Sequence, residues 1–403
     1  MARDDAVHIL TINSGSSSIK FALYRMGRVE TPSLSGSIGG IGFDSGLFHI
    51  KDAEGRTRVE KKLTLRDHGA ALQEIIGRLH GSAAGRDVDA VGHRLVHGGS
   101  AYTEPQRITA ELLAALEELV PLAPDHLPHE ISAIKTLERF HPGVKQVACF
   151  DTAFHRTMPG VAQLYALPEE IRRHGVSRYG FHGLSYEYIL SELRREAGPE
   201  TAEGRVIIAH LGNGASMAAF QRGKSMDTTM GFTPAGGLVM STRSGDLDPG
   251  VIVYLLREKG FDASALNRMV NKQAGLLGVS GISSDMKDLL DRAAGDSSAA
   301  AAVELFCYQA RKFLGALAAV LGGLDTLIFT GGIGEHSPEI RARICADMEF
   351  LGIRPDTSRN ASNAAVISAD GSPVCIRVMK TNEELMIARH TYKLIRSSGN
   401  SAE

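Results

Sequence analysis

The sequence predicts an α/β fold made of two halves of like design, and three observations point there. Strand-like apolar runs alternate with segments of helical period along the chain. Two glycine-rich turns of one design recur far apart, in VHILTINSGSSSIKFALY (7–24) and VIIAHLGNGASMAAFQRG (206–223). The length, 403 residues, exceeds what one ordinary core uses, so two domains are expected. Each turn joins an apolar run to a second run that returns antiparallel. Short side chains at Ser14, Gly15 and Ser16, and at Gly212, Gly214 and Ala215, let backbone N–H groups crowd around an anion. One such turn says little, because Gly-Ser turns join hairpins everywhere. Two in corresponding places suggest a duplicated unit that closes on phosphates from both sides.

The elements follow in order. Runs 7–12 and 19–24 open the chain as strands, and a Gly-rich stretch to residue 63 holds more. Helical periodicity marks 70–79, 109–120 and 130–140. Between the last two, PLAPDHLP (121–128) is too rigid and too broken to be helix. Run 144–150 is a buried strand ending at Asp151. No low-complexity linker comes after it, so the boundary there is expected to be a hinge. In the second half, Asp248-Pro249 starts a helix with an N-cap acid and a proline at the first helical position. Residues 298–321 form the longest apolar helix, stopped by Gly322-Gly323. Run 326–330 is a buried strand before GGIGEH, and Ser337-Pro338 opens another helix. Strand 374–379 leads through Thr381-Asn382-Glu383-Glu384 into a terminal amphipathic helix.

Composition narrows the function classes. Hydrophobic residues make up 43% and charged residues 22%, an ordinary balance for a globular protein. A net charge of −2 without a long basic run argues against nucleic acid or an anionic membrane as the main partner. Cys149, Cys307, Cys345 and Cys375 lack metal-ligand spacing and sit in apolar runs, which reads as reduced core thiols of a cytoplasmic protein. The opening MARDDAVHIL lacks an export-like apolar core, and no stretch free of charge reaches membrane-spanning length.

Each motif has a chemical reading and a plainer one. Around the first turn, Asn13, Ser16 and Ser18 could hold phosphate oxygens while Lys20 supplies a point charge; the plainer reading is a polar hairpin. It is not a Walker P-loop, because a strand comes next instead of a helix. Arg243 in STRSGDLDPG (241–250) and Arg94 in GHRLVHGG (92–99) can each clamp a carboxylate or phosphate with two prongs, or merely tie loop acids together. Two such arginines in separate halves fit a multiply charged anion. Asp151 in CFDTAFH ends a buried strand, where catalytic carboxylates of α/β sheets are often placed, or else it is an N-cap for the segment after the strand. His182 in RYGFHGLS and His126 in PLAPDHLP, as lone histidines, read more readily as hydrogen-bonded core residues than as catalysts. GGIGEH, between a strand and a helix, lets backbone approach a ligand closely. Thr381 and Glu384 have capping-box spacing, which leaves Glu383 as the metal-side carboxylate.

These segments, in order INSGSSSIKF, GHRLVHGG, CFDTAFH, RYGFHG, HLGNGAS, MSTRSGDLDPG, GISSDMKDL, FTGGIGEH and TNEELMIA, resemble the acetate kinase family end to end. That family sits within the actin-like, sugar-kinase and Hsp70 ATPase superfamily. The resemblance implies two duplicated actin-like ATPase (ribonuclease H-like) domains, with the active site in the cleft between them, in a cytoplasmic homodimer. The domains would span 1–150 and 151–385, with the terminal helix 386–403 packing back on the first. The implied reaction is reversible, Mg²⁺-dependent (or Mn²⁺-dependent), in-line transfer of the ATP γ-phosphoryl to acetate, giving acetyl phosphate and ADP. Its partners would be those small molecules, with neither nucleic acid nor membrane.

Carried over by motif, Asn13, Ser16, Ser18 and Lys20 would form the first phosphate and metal turn, with Glu383 helping to fix the metal beside Asn13. Arg94 and Arg243 would hold the acyl phosphate and the moving phosphoryl, Asp151 would orient the carboxylate, and His182 and Asn213 would stabilise equatorial oxygens, with His126 secondary. His210, Gly212 and Gly214 would line the second phosphate turn. Asp285, Lys287 and the loop of Gly331, Gly332, Ile333, Gly334 and Glu335 would face the nucleotide, while Val96, Phe181 and Pro234 would line the acyl pocket.

Four positions in three segments depart from the family pattern. Asp125 replaces an apolar residue before His126: either it turns to bind His126, the favoured reading because Val96, Phe181 and Pro234 still match, or the acyl group differs from acetate. Lys287 stands where arginine is usual and cannot stack on a purine as a guanidinium does, which loosens nucleotide choice. Leu184 and Tyr186 replace the usual small residue and histidine, changes expected to have small consequence. Two other functions compete: a propionate or butyrate kinase, and an actin- or Hsp70-like nucleotide switch that performs no acyl transfer.

Overall fold

The structure, a computed structural model, describes residues 6–15, 17–80 and 88–397. The chain divides into two compact units, Met1–Ala153 with Asn382–Glu403, and Phe154–Thr381.

The first unit is organised on an eight-stranded sheet. Its strands are β1 (Val7–Ser14), β2 (Ser18–Met26), β3 (Thr31–Gly39), β4 (Gly46–Asp52), β5 (Thr57–Leu63), β6 (Ala90–Leu95), β7 (Gln106–Arg107) and β8 (Lys145–Phe150). Their order is β5-β4-β3-β2-β1-β6-β8-β7. β1 is buried from Ile9 to Ser14 because both faces are covered, which is why it reads as a nearly continuous apolar run. Leu10, Ile12 and Val91 point into a core shared with Leu72, Ile75 and Ile76 of helix His68–His80, and with Leu137 of helix Leu127–Phe140. The opposite face carries helix Glu383–Ser397, which lies across β1, β2, β6 and β8. Gly92 on β6 admits that helix, since a Cβ there would come within 2.5 Å of Ile387 Cγ2. β5 (TRVEKKL) closes one edge with charged side chains, which discourages strand addition.

The second unit has five strands: β9 (Val206–Leu211), β10 (Ala215–Gln221), β11 (Lys224–Thr228), β12 (Thr326–Thr330) and β13 (Cys375–Val378), in the order β11-β10-β9-β12-β13. Val206, Ile208, Ala218 and Phe220 pack with Tyr186, Ile189 and Leu193 of helix Gly183–Ala197. Helix Ser297–Leu321 packs on the same sheet and ends at Gly322 with φ +68°.

The two sheets share one plan. β1 and β9 each pair antiparallel with the next strand, which pairs antiparallel with a third; on their other side each pairs parallel with a crossover strand. A second parallel strand completes each set, β8 beside β6 and β13 beside β12. The first unit adds β4, β5 and β7 to this five-strand plan.

Several elements differ from the sequence reading. The helix after the Pro-rich segment starts at Leu127, not at residue 130, because Pro128 sits in the first turn where its missing N–H costs nothing. GGIGEH is not a loop but a helical turn, Gly331–His336. Thr381 does not cap the last helix; Asn382 does, its Oδ1 accepting from Leu385 N at 2.9 Å. The Thr381 hydroxyl bonds instead to Ser185 Oγ, at 2.8 Å.

Candidate active site

In the first unit, β1, β6 and β8 are parallel, so their C-terminal ends meet at one edge of the sheet, the edge where α/β sheets bind ligands. Asn13 stands near the end of β1, Arg94 near the end of β6, and Asp151 just after β8. The Arg94 guanidinium forks onto Asp151 Oδ2, with Nε at 3.0 Å and Nη2 at 2.5 Å. Its Nη1 donates to Asn13 Oδ1 at 3.3 Å, and Nε lies 3.9 Å from Glu383 Oε2. Asn13 Nδ2 donates to that same Glu383 oxygen at 3.0 Å. Burial works against the charge on Arg94, but the Asp151 and Glu383 carboxylates outweigh it and hold the guanidinium more firmly protonated than usual.

Two further acids belong to this set: Glu130, which the sequence does not flag, and Glu384, which the sequence assigns to a capping box with Thr381. Glu130, on helix Leu127–Phe140, turns both carboxylate oxygens to Val96 N, at 3.1 and 3.3 Å. Burial pushes its carboxyl up to about 8, against the pull of the Arg94 charge and the Val96 amide. Glu384 is likewise raised, first by burial and then by the charge of Glu383. Glu130 lies one helical turn after His126, and only that spacing could have flagged it.

Gly15, in the first turn, is tied down from behind. His68 Nε2 meets Gly15 O at 2.7 Å, and the His68 ring stacks on His129 at 4.2 Å. The turn is thereby fixed to the helix headed by His126, which is half-buried at the N-cap position. Lys20 lies opposite Asn13 across the β1–β2 pair and is exposed; Ser18 begins β2. Ser16 falls outside the described residues. Asp125 is half-buried.

The second unit offers imidazoles, hydroxyls and one guanidinium instead. His182 precedes helix Gly183–Ala197 with φ 60°, a left-handed conformation that costs a non-glycine residue roughly 1–2 kcal/mol. Its ring stacks on His210 at 4.3 Å, and its Nδ1 lies 2.8 Å from Ser216 Oγ. His210 Nδ1 lies 2.8 Å from Ser185 Oγ. The β9–β10 turn closes through Gly212 N to Gly214 O at 3.1 Å. A Cβ on Gly214 would lie 3.3 Å from His182 Nε2 and 3.6 Å from Arg243 Nη1. An imidazole and a guanidinium therefore converge on one notch that glycine leaves open. Arg243 is braced by Pro234 O, at 3.3 Å from Nη1. Asn213 accepts from Ser241 Oγ at 3.3 Å. Phe181 is buried and its carbonyl accepts from His155 Nε2 at 2.9 Å.

The residues expected on the nucleotide side include one tied to that notch, since Glu335 accepts from Thr381 N, whose hydroxyl bonds to Ser185 and through it to His210. Asp285 caps helix Met286–Arg292, accepting from Asp288 N at 3.0 Å, and Lys287 is exposed on its first turn. Gly331 takes φ +78°, and a Cβ there would strike Leu211 O at 2.7 Å. Glu335 turns back into the protein, one oxygen accepting from Gly331 N at 3.0 Å and Thr381 N at 3.2 Å. Gly332, Ile333 and Gly334 complete the turn.

Comparison with known proteins decides the kinship. The acetokinase family pattern matches residues 8–389. The chain belongs to the acetokinase family. It is similar to the acetate kinase of Rhodopseudomonas palustris (strain ATCC BAA-98 / CGA009), 48% identical over 392 residues that cover 96% of this chain and 98% of that one. The acetate kinase of Coprothermobacter proteolyticus is 45% identical, covering 96% and 99%. Among solved structures, Porphyromonas gingivalis acetate kinase superposes with a TM-score of 0.86 at 39% identity, covering 96% and 100%. A propionate kinase from Francisella tularensis gives 0.90 at 36% identity, covering 96% and 99%. The fold is thus the duplicated actin-like ATPase fold of these kinases, in agreement with the repeated five-strand plan.

Among the described residues no three His, Cys, Asp or Glu side chains cluster closely enough to form a protein-only cage for a metal ion. Asn13 and Glu383 nevertheless carry oxygens close together: Glu383 Oε2 accepts from Asn13 Nδ2, and Asn13 Oδ1 accepts from Arg94, which also binds Asp151. An oxygen-only, carboxylate-poor set suits Mg²⁺, which keeps waters and takes the rest of its ligands from substrate phosphates.

Proposed function

We propose that this protein is an acetate kinase: it moves the ATP γ-phosphoryl to acetate, reversibly, forming acetyl phosphate and ADP by direct in-line transfer. The observation that carries this reading is the pair of anion-binding sets at corresponding sheet edges, one holding Arg94 and Asp151, the other His182 and Arg243 at Gly214. Carboxylate acceptors are already nucleophilic at neutral pH, so the chemistry needs charge and aligned donors more than a strong base.

In this reading Arg94 binds the acetate carboxylate or the acyl phosphate, and Asp151 keeps the guanidinium aimed. Asn13 and Glu383 hold Mg²⁺ (or Mn²⁺), which would neutralise phosphate charge. His182 Nε2, Arg243 and the N–H groups around Asn213 receive the equatorial oxygens in flight, with His126 and His210 secondary. Ser16, Ser18 and Lys20 serve the phosphates from the first turn. Asp285, Lys287 and the turn from Gly331 to Glu335 face the nucleotide. Val96, Phe181 and Pro234 hold the methyl group.

One observation favours a wider acid range. The propionate kinase superposes slightly better than the acetate kinase, so the backbone does not separate the two acids. Asp125 adds a polar group near the expected pocket. Hydroxamate formation by the purified protein with acetate, propionate and butyrate decides between them. Highest kcat/KM for acetate is expected; acetate as the poorest substrate would remove the assignment, and no acyl phosphate from any acid would remove the kinase reading.

We further infer a cytoplasmic homodimer. Cys149, Cys307, Cys345 and Cys375 are free thiols, and burial pushes those of Cys307 and Cys345 up to about 12, which suits a reducing compartment. No helix among the described residues is long and apolar enough to cross a membrane. Helix Pro249–Glu258 buries none of its residues, and Val251, Val253, Tyr254 and Leu256, spread around it, expose apolar surface suited to burial against a second copy of this chain. Sedimentation of Val253→Asp and Tyr254→Asp should show dissociation to monomers; an unchanged dimer would move the interface elsewhere.

A further inference from the structure

We propose that Tyr186 is a positioning residue for His182: acting through Ser216, it fixes the imidazole in the tautomer that carries its proton on Nε2, the nitrogen facing the Gly214 notch. The proposal rests on the phosphoryl-transfer reading for its purpose, but its geometry stands independently.

The three side chains form a line. Tyr186 Oη lies 2.5 Å from Ser216 Oγ, and Ser216 Oγ lies 2.8 Å from His182 Nδ1. Each comes from a different place: His182 from the left-handed position before helix Gly183–Ala197, Tyr186 from inside that helix, and Ser216 from β10. Tyr186 and Ser216 are fully buried, so bulk water does not scramble the bonds between them. The Tyr186 ring is held edge-on to His155 at 5.5 Å and against Phe220 at 5.4 Å. The His182 ring is held flat by His210.

Proton bookkeeping then selects the tautomer. A serine hydroxyl has one hydrogen and can donate to only one neighbour. Phenolic O–H is the better donor of the two hydroxyls, because phenol is far more acidic than an alkyl alcohol. Tyr186 therefore donates to Ser216, and Ser216 donates onward to His182 Nδ1. With Nδ1 accepting, the neutral ring carries its hydrogen on Nε2. That N–H points where a Cβ of Gly214 would stand, beside Arg243 Nη1. A donor is what a transferring phosphoryl oxygen needs there; the other tautomer would present a lone pair and repel it.

This assigns a role to a position whose departure from the family pattern reads as minor in the sequence. Phenylalanine at 186 would fill the same space but free Ser216 to rotate, and the choice of tautomer would be lost.

The test uses full-length protein labelled with ¹⁵N-histidine. The two ring nitrogens of His182 are assigned by their loss in His182→Gln, and the tautomer is read near neutral pH. Wild type is expected to show Nε2–H, and Tyr186→Phe a mixture or the Nδ1–H form. In parallel, Tyr186→Phe and Ser216→Ala should each lower kcat about tenfold, with KM for ATP and acetate within about twofold, as for loss of an interaction made in the transition state. The double variant should be no slower than the slower single, because both break one line. An Nδ1–H tautomer in wild type, or an unchanged Nε2–H tautomer in Tyr186→Phe, overturns the proposal. Wild-type protein lacking acyl-phosphate formation would overturn the proposed function, and the tautomer measurement would still decide the role of Tyr186.

Discussion

At the edge of the first sheet the site groups are a guanidinium and acids: Arg94 forks onto Asp151, with Glu383 beside it, while burial holds the Glu130 and Glu384 carboxyls toward their protonated forms. At the corresponding edge of the second sheet the groups are imidazoles, hydroxyls and amides, with Arg243 braced on a carbonyl rather than a carboxylate. One strand plan therefore carries two chemistries. The charged set is suited to a metal and a small carboxylate, whose charges replace its internal pairs. The second set is suited to phosphoryl oxygens because an imidazole and a guanidinium nitrogen converge on the notch that Gly214 leaves open. The difference also divides stability from activity. In the first unit a site residue is part of what holds the fold; in the second it is held by residues behind it.

The largest effect should separate these roles. Asp151→Ala leaves the Arg94 charge buried without its partner, and breaking such a pair costs about 3–5 kcal/mol. Loss of acyl-phosphate formation by about a thousandfold is expected together with a lowered melting temperature. Normal stability in this variant would break the comparison on the charged side.

Next comes His182→Asn. Asparagine tolerates the left-handed conformation, so the melting temperature should stay within a few degrees. Removing one transition-state donor should still cost about 10²-fold in kcat. A large loss of stability here would show that the second site also holds its fold.

A smaller effect concerns pH. Glu130 stays protonated in the folded chain up to about 8, whereas an ordinary glutamate ionises near 4.5. Between those values the folded state binds the extra proton, so stability falls as pH rises and levels off above 8. His93 and His155, pushed down to about 4 by burial, act oppositely: the unfolded chain takes protons below 6.5, so stability falls as pH drops toward 4. Melting temperature should therefore decline from pH 6.5 to 8, and Glu130→Gln should flatten that decline. An identical slope in the variant would relocate the titrating group.

The smallest expected effect is the stabilisation of the nucleotide-free protein by Mg²⁺, a few degrees at most, since so few protein oxygens are offered. Glu383→Gln should abolish it. A shift that survives the change would place the ion away from Asn13.

Local chemistry made much of this legible. β12 matches an unbroken apolar run, Asp248-Pro249 and Ser337-Pro338 open helices as their capping chemistry requires, and Gly322 ends the long helix. The repeated hairpin turns pointed to the duplication because small residues at a turn are a backbone requirement. The N-cap of the last helix was misread because Thr381 and Asn382 are both good caps, and the choice depended on Ser185, far away in sequence.

The sequence by itself determined the fold class, the duplicated turns, the family and the residue types available for phosphoryl transfer, since these depend on short-range pattern and ordered motifs. Tertiary structure alone decided how those residues are shared out. It bound Arg94 to Asp151, brought Glu130 to the Val96 amide, and lined up Tyr186, Ser216 and His182. Such pairings depend on which strand ends and helix turns are brought within about three ångströms of each other, and no local pattern in the chain records that.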